Sequence, residues 1–318
     1  MQFRTQIPIP KSNFPIDYDS KIMSIGSCFA ENMGKKFDYF KFQNLVNPFG
    51  IIFNSKSIER IIERIVNLEF FTENDIFYHN NLWHCFEVHS ELNHPEKVEF
   101  IDNLNNLLQF AHNQIKELTH LVITYGTSWV YSNTATNNIV ANCHKVPQKH
   151  FTKELLSLNE TQKSIENTIQ LVHSINKRVE FIFTLSPVRH IKDGFIENNV
   201  SKAVLLQSVY QTVNLEHLKS STFYFPSFEI IQDELRDYRF YEPDMLHPNQ
   251  TAIDYVWQKF AESAIVENNF LIMNQVDNIQ KMILHKSFNP ESTQNQEFKI
   301  KIQEKIEQLR LKNPNINF

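Results

Sequence analysis

The chain has 318 residues, 42% of them hydrophobic, and a formal net charge of −5. That apolar share can bury a sizeable core in one large domain or two smaller ones. The intermixed acids and bases exclude the basic stripe that a nucleic-acid partner needs, and no apolar run is long enough to span a bilayer.

The opening residues MQFRTQIPIP carry no apolar signal core. The three cysteines, Cys28, Cys85 and Cys143, cannot all pair, so free thiols in a reducing cytoplasm are expected. No membrane association is expected. With 5 glycines against 27 phenylalanines, each glycine asks which backbone position requires it.

In chain order, 21–26 (KIMSIG) is a strand, apolar on both faces as a buried parallel strand must be. A helix is predicted over 31–40. A second runs over 100–118, with Asp102 near its start, ahead of a strand at 121–126 (LVITYG). A third, over 159–176, is capped by Asn159 or Thr161 and precedes a strand at 179–187. A last strand at 221–225 and a helix over 251–267 complete the pattern. Strand alternating with helix predicts an α/β, doubly wound, mostly parallel sheet, whose function gathers beyond the carboxyl ends of the strands. This core spans 1–267. A helical extension, 268–318, has Phe298, Ile302, Ile306 and Leu309 on one face, expected to pack on the same domain rather than on a second copy.

Chemistry-bearing residues sit where strands end. Gly26-Ser27-Cys28 stands where a buried strand turns into a helix. There the helix dipole lowers a thiol pKa, and free N–H groups can hold an oxyanion. The plainer reading makes Ser27 an N-cap and Cys28 a small buried residue. Asp244 and His247, three apart before a helix, can act as orienter and base, or as an ordinary turn. Gly126-Thr127-Ser128 ends the second strand with donors that could face the same crevice. Asn47 and Gly50 frame a turn offering an amide and a backbone N–H. Arg189, with His190 beside it, could hold an anionic substrate group or simply pair with Asp193. His79, His84, His89 and His94 recur every five residues, a spacing that fits no single helix or strand face. Neither they nor Cys143-His144 are read as a metal site, and no cofactor is expected.

The pentapeptide Gly26–Ala30 (GSCFA), with NPFG, YGTSWVY, NCHKVP, SPVRHIKDG, SKA, LRDYRFYEPDMLHPN and HKSFNP, resembles the GSCFA family over nearly the whole chain. That family is grouped with the SGNH (GDSL-like) hydrolases. The resemblance implies a three-layer flavodoxin-like sandwich of about five parallel strands and a Ser-His-Asp type of esterase site. The D-x-x-H block of those hydrolases matches Asp244 and His247. Their G-D-S block, set on Gly26, puts Ser27 in the Asp position and Cys28 at the nucleophile. A register shifted by one makes Ser27 the nucleophile and sets Ile25 where Gly belongs. Their G-x-N-D block falls on Gly126–Trp129, so Ser128 replaces the oxyanion-hole Asn. The implied function is hydrolysis of small O-acyl esters of a carbohydrate or metabolite. An O-acyltransferase with the same triad and a non-catalytic binding protein are the alternatives, and the oligomeric state is open.

Overall fold

The computed structural model describes residues 5–285, 289 and 291–318. Met1–Arg4, from the opening segment, and Lys286, Ser287, Phe288 and Pro290, from HKSFNP, lie outside the described residues.

β1 (Lys21–Gly26) passes through Ser27 into α1 (Cys28–Tyr39), then β2 (Gln43–Val46) and α2 (Ser55–Asn67). A hairpin, β3 (Ile76–His79) and β4 (Leu82–Cys85), precedes α3 (Lys97–Glu117) and β5 (His120–Tyr125). A small sheet of β6 (Trp129–Asn133), β7 (Ile139–Val140) and β8 (Phe151–Leu155) follows, then α4 (Leu158–Ile175) and β9 (Glu180–Leu185). α5 (Phe195–Val213), β10 (Thr222–Phe225) and a short α6 (Ser227–Glu229) come next, the last running into a π turn, Ile230–Glu234. α7 (Gln250–Ala264), α8 (Asn269–Leu284) and α9 (Thr293–Lys312) end the fold.

The main sheet has the order β10-β9-β5-β1-β2, with every pair parallel. The chain moves outward from β1 to β2, then returns to add β5 on the other side. The strand order therefore reverses between β1 and β5, which opens a crevice at their carboxyl ends.

Alternate residues of each strand feed two separate cores, because successive side chains point to opposite faces. Met23, Ile25, Leu121, Ile123, Phe181 and Phe183 pack with α2, α3, α4 and α5. Ile22, Val122, Ile182 and Phe225 pack with α1 and α7. Ile302, Ile306 and Leu309 of α9 and Val276 of α8 are buried in that second core, so the tail covers the α1/α7 layer.

The doubly wound α/β arrangement expected from the sequence is the one found. Several local features differ. α1 begins at Cys28 rather than residue 31 because Ser27 caps it, its hydroxyl accepting from Phe29 N–H. α4 is capped by Ser157, not Asn159 or Thr161, in a reciprocal pair with Glu160. α2, α5, the hairpin and the small sheet were not foreseen. The hairpin is tied down by Arg64 of α2, which is buried and donates to Asp75 (2.9 Å) and Glu87 (2.8 Å).

Candidate active site

β1 ends at Gly26, whose backbone lies in the left-handed region at φ 146. A side chain there would meet the Thr124 carbonyl at 2.2 Å, so only glycine allows the chain to turn so close to β5. Ser27 is 0% exposed, with its hydroxyl on Phe29 N–H at 3.2 Å. Cys28, the first helical residue, is partly exposed. Ser27 thus caps α1, while Cys28 is the more exposed of the two.

The Cys28 thiol is pushed up, against the expectation from the helix dipole. Burial is the largest cause and Glu31 the next; the N–H groups of Phe29 and Cys28 and the charge of Lys202 pull it down but do not win. Desolvation of a thiolate outweighs the first-turn amides here.

Asp244 and His247 lie in the loop before α7. Asp244 Oδ1 accepts from the N–H groups of Leu246 (2.9 Å) and His247 (3.0 Å), while Oδ2 lies 2.6 Å from His247 Nδ1. The loop is fixed by Glu242 N–H on the His247 carbonyl at 2.8 Å. Asn249 caps α7 and donates its amide to the Arg239 carbonyl at 2.7 Å. Both side chains are about half exposed, 46% and 47%. With Nδ1 occupied by the carboxylate, His247 Nε2 is the nitrogen left for chemistry. No hydrogen bond joins His247 to Ser27 or Cys28 among the described residues.

The expected oxyanion donors of the second strand end are committed elsewhere. Gly126 N–H donates to the Phe53 carbonyl at 2.8 Å. Ser128 is fully buried; its N–H donates to Ser201 Oγ (2.7 Å) and its hydroxyl to the Ser201 carbonyl (3.0 Å). Thr127 shares a 2.8 Å bond with the same Ser201 hydroxyl. These bonds lock the loop onto α5 and, among the described residues, leave neither Gly126 nor Ser128 a free N–H or hydroxyl donor.

Asn47 does offer one. Its Oδ1 accepts from Gly26 N–H at 2.8 Å, which orients the amide beside the β1 turn, and its buried Nδ2 has no partner among the described residues. Gly50 N–H is spent on the Asn47 carbonyl at 2.7 Å. Asn47 and Glu31 also border an open recess of about 230 Å³ with Lys35, Asp38 and Glu91.

Arg189 binds Gln232 Oε1 through Nε (3.1 Å) and a second guanidinium nitrogen, while Asp193 pairs with Lys153. The Arg189–Asp193 pair, one of the two alternatives for this loop, is not formed among the described residues. His190 stacks on Phe53 with ring centroids 5.4 Å apart, and its Nε2 is buried without a partner among the described residues. Burial, then the charges of Lys202 and His247, hold its pKa down at about 4. His84 and His144 each bond a backbone carbonyl (2.8 and 2.7 Å). Among the described residues no group of three or more His, Cys, Asp or Glu is placed to hold a metal ion.

The GSCFA family matches residues 21–260, and the C-terminal domain of GSCFA domain proteins matches residues 276–318. The chain belongs to the GSCFA family. No curated protein matches it. Among solved structures, it is similar to a carbohydrate esterase family 3 protein from Talaromyces cellulolyticus. The two are 9% identical, the match covers 80% of this chain and 99% of that one, and the TM-score is 0.37. Among the described residues, no helix is long and apolar enough to cross a membrane.

One residue near the site of this GSCFA protein escaped the sequence reading. Lys202 of α5 is 3% exposed and donates to the carbonyls of Gly126 and Ser186, both at 2.7 Å. It shares a buried helical face with Asn198, Leu205 and Val209. A lysine at that apolar spacing was the signal that could have revealed it.

Proposed function

We propose that this GSCFA protein is an esterase of the SGNH (GDSL-like) type with a cysteine nucleophile. The observation that carries the reading is the division of labour at the end of β1. Ser27 is consumed as a cap, Cys28 is accessible at the helix N-terminus, and His247 is oriented by Asp244 with Nε2 free.

In this mechanism Cys28 Sγ attacks the ester carbonyl carbon as His247 Nε2 takes the thiol proton. The oxyanion is held by the Cys28 N–H and Asn47 Nδ2. The C–O bond breaks, the alcohol leaves with the proton from His247, and an acyl thioester remains on Cys28. Water, deprotonated by His247, then attacks the thioester. The C–S bond breaks, the carboxylic acid leaves, and sulfur recovers its proton. The polar lining of the recess beside Asn47 suits a hydroxylated alcohol, such as a carbohydrate carrying small O-acyl groups. The three free thiols fit a reducing compartment such as the cytoplasm.

A non-catalytic binding role is the second reading, favoured by the upward-shifted thiol of Cys28. Turnover of short-chain p-nitrophenyl esters separates the two. The esterase reading expects hydrolysis that His247→Ala abolishes; undiminished turnover in that variant defeats it.

A further inference from the structure

The recess beside Asn47 carries more carboxylate than its neighbours neutralise. Glu31 and Asp38 reach it from α1, Glu91 from the short turn Ser90–Leu92, and Val46 and Asn47 from the end of β2. Lys35 shares the lining, and Lys41 acts by its charge on Asp38. Among the described residues neither Glu31 nor Glu91 is paired with a lysine or an arginine. Glu91 Oε2 stands 3.7 Å from the His89 ring at Nδ1, beyond hydrogen-bond reach.

Bonded geometry sets this charge beside the reacting groups. Glu31 lies one helical turn from Cys28 on α1, the spacing that puts two side chains on one face. Asn47 ties the recess to the turn of β1 through its Oδ1 on Gly26 N–H at 2.8 Å. Its side chain is 8% exposed, and its buried Nδ2 has no partner among the described residues. Gly50, whose N–H closes the turn on the Asn47 carbonyl, leaves room for Glu91: a side chain there would meet Glu91 Oε1 at 2.5 Å. A donor amide and two carboxylates without a cationic side chain of their own thus line one opening of about 230 Å³. Among the described residues no three such groups converge on a metal ion. Carboxylates that do not converge can still attract an organic ammonium, because Coulomb attraction needs no shared coordination.

We propose that this recess binds a protonated amine, so that the preferred substrates are esters carrying one, such as O-acyl amino alcohols and amino sugars. The ester carbonyl sits at the Cys28 N–H and Asn47 Nδ2, and the ammonium, a few bonds away, lies beside Glu31 and Glu91. The inference rests on the esterase reading for its chemistry and narrows the substrate from any hydroxylated alcohol to a cationic one. A neutral ester gains nothing from these carboxylates, and an anionic one is repelled by them. An amine on the acyl half, as in an aminoacyl ester, draws on the same charges.

The first test needs no turnover. Cys28 is modified with methanethiosulfonate reagents bearing either a trimethylammonium or a sulfonate group, and the two rates are read at that residue by non-reducing peptide mass spectrometry in the full-length protein. Relative to the same two rates on free 2-mercaptoethanol, the cationic reagent should be favoured about tenfold at low salt, and less as salt rises. The preference should fall about threefold in Glu91→Gln and in Glu31→Gln. Glu91 is 51% exposed, so its substitution should leave the protein folded. A ratio equal to that of the free thiol, or one unmoved by both substitutions, overturns the proposal. The second test compares kcat/KM for acetylcholine with that for 3,3-dimethylbutyl acetate, and glycine ethyl ester with ethyl propionate. Preference for either cationic member, reduced in Glu91→Gln, supports the proposal and tells which half of the ester carries the amine. An active enzyme with no preference in either pair overturns it. A charge-selective Cys28 in a protein that cleaves no ester removes the esterase reading and leaves the cation recess. Ester turnover without charge selectivity does the reverse.

Discussion

The Asp244 carboxylate grips His247 at two points, its backbone N–H at 3.0 Å and its ring Nδ1 at 2.6 Å. One oxygen shapes the turn and the other fixes the ring. The N–H groups of His247 and Leu246, followed by the His247 ring, hold the carboxyl at about 2. It is therefore charged throughout the neutral range, and the imidazole keeps its proton on Nδ1 and its lone pair on Nε2.

Replacing Asp244 by Asn should lower kcat/KM for a short-chain ester by about a hundredfold or more, by favouring the wrong tautomer. His247→Ala should cost at least as much. Both side chains are half exposed, so the melting temperature should move little. Steady-state kinetics with calorimetry on the same samples checks this. A large loss of stability with intact kinetics would make the pair a structural turn.

Ser27 and Cys28 should separate cleanly. Ser27→Ala removes the cap of α1 and should cost about 1 kcal/mol of stability, while ester turnover survives. Cys28→Ala should leave the melting temperature near that of the parent and remove turnover. Loss of turnover in Ser27→Ala, in a protein still folded, would return the nucleophile to Ser27.

The apolar runs around Ile123 and Phe183 disclose the sheet because buried parallel strands are apolar on both faces. Asp244 and His247 are legible because both partners of the pair are local. Gly126 and Ser128 misled, because their hydrogen bonds go to Phe53 and Ser201, residues far along the chain that no spacing rule connects. The sense of the Cys28 shift was missed for a similar reason. A helix N-terminus is visible in sequence, whereas the burial that opposes it is a tertiary property. Lys202 stands within the SKA motif, but its burial is a tertiary property of α5 that the motif does not show.

Acid should weaken the fold through His190. Burial holds its pKa at about 4, below the unfolded value near 6.5. Between those values the unfolded chain binds the proton and the folded one does not. Stability is thus fully present above the unfolded value and declines as pH falls through the window. His144, also held at about 4 by burial, adds to the slope. His190→Asn should reduce the difference in unfolding free energy between pH 7 and pH 4.5 by roughly 2 kcal/mol, measured by urea titration. An unchanged difference would show that the His190 ring is not desolvated.

Gly26→Ala should be among the most damaging single changes, because the added carbon would stand 2.2 Å from the Thr124 carbonyl at a φ of 146. A loss of about 3 kcal/mol or more is expected, read as a drop in the chemical denaturation midpoint. A loss below about 1 kcal/mol would mean that β1 and β5 can part at this point without penalty.

The most direct measurement on the account as a whole is the mass of the protein during reaction with p-nitrophenyl acetate, quenched in acid and mapped by peptide. The expected result is a single acetyl group on Cys28 that forms with the burst of nitrophenol, decays on further incubation, and persists longer in a His247→Ala variant acetylated from a thioester donor. An acetyl group on Ser27 or elsewhere, or nitrophenol release with Cys28 unmodified at every time point, would contradict it.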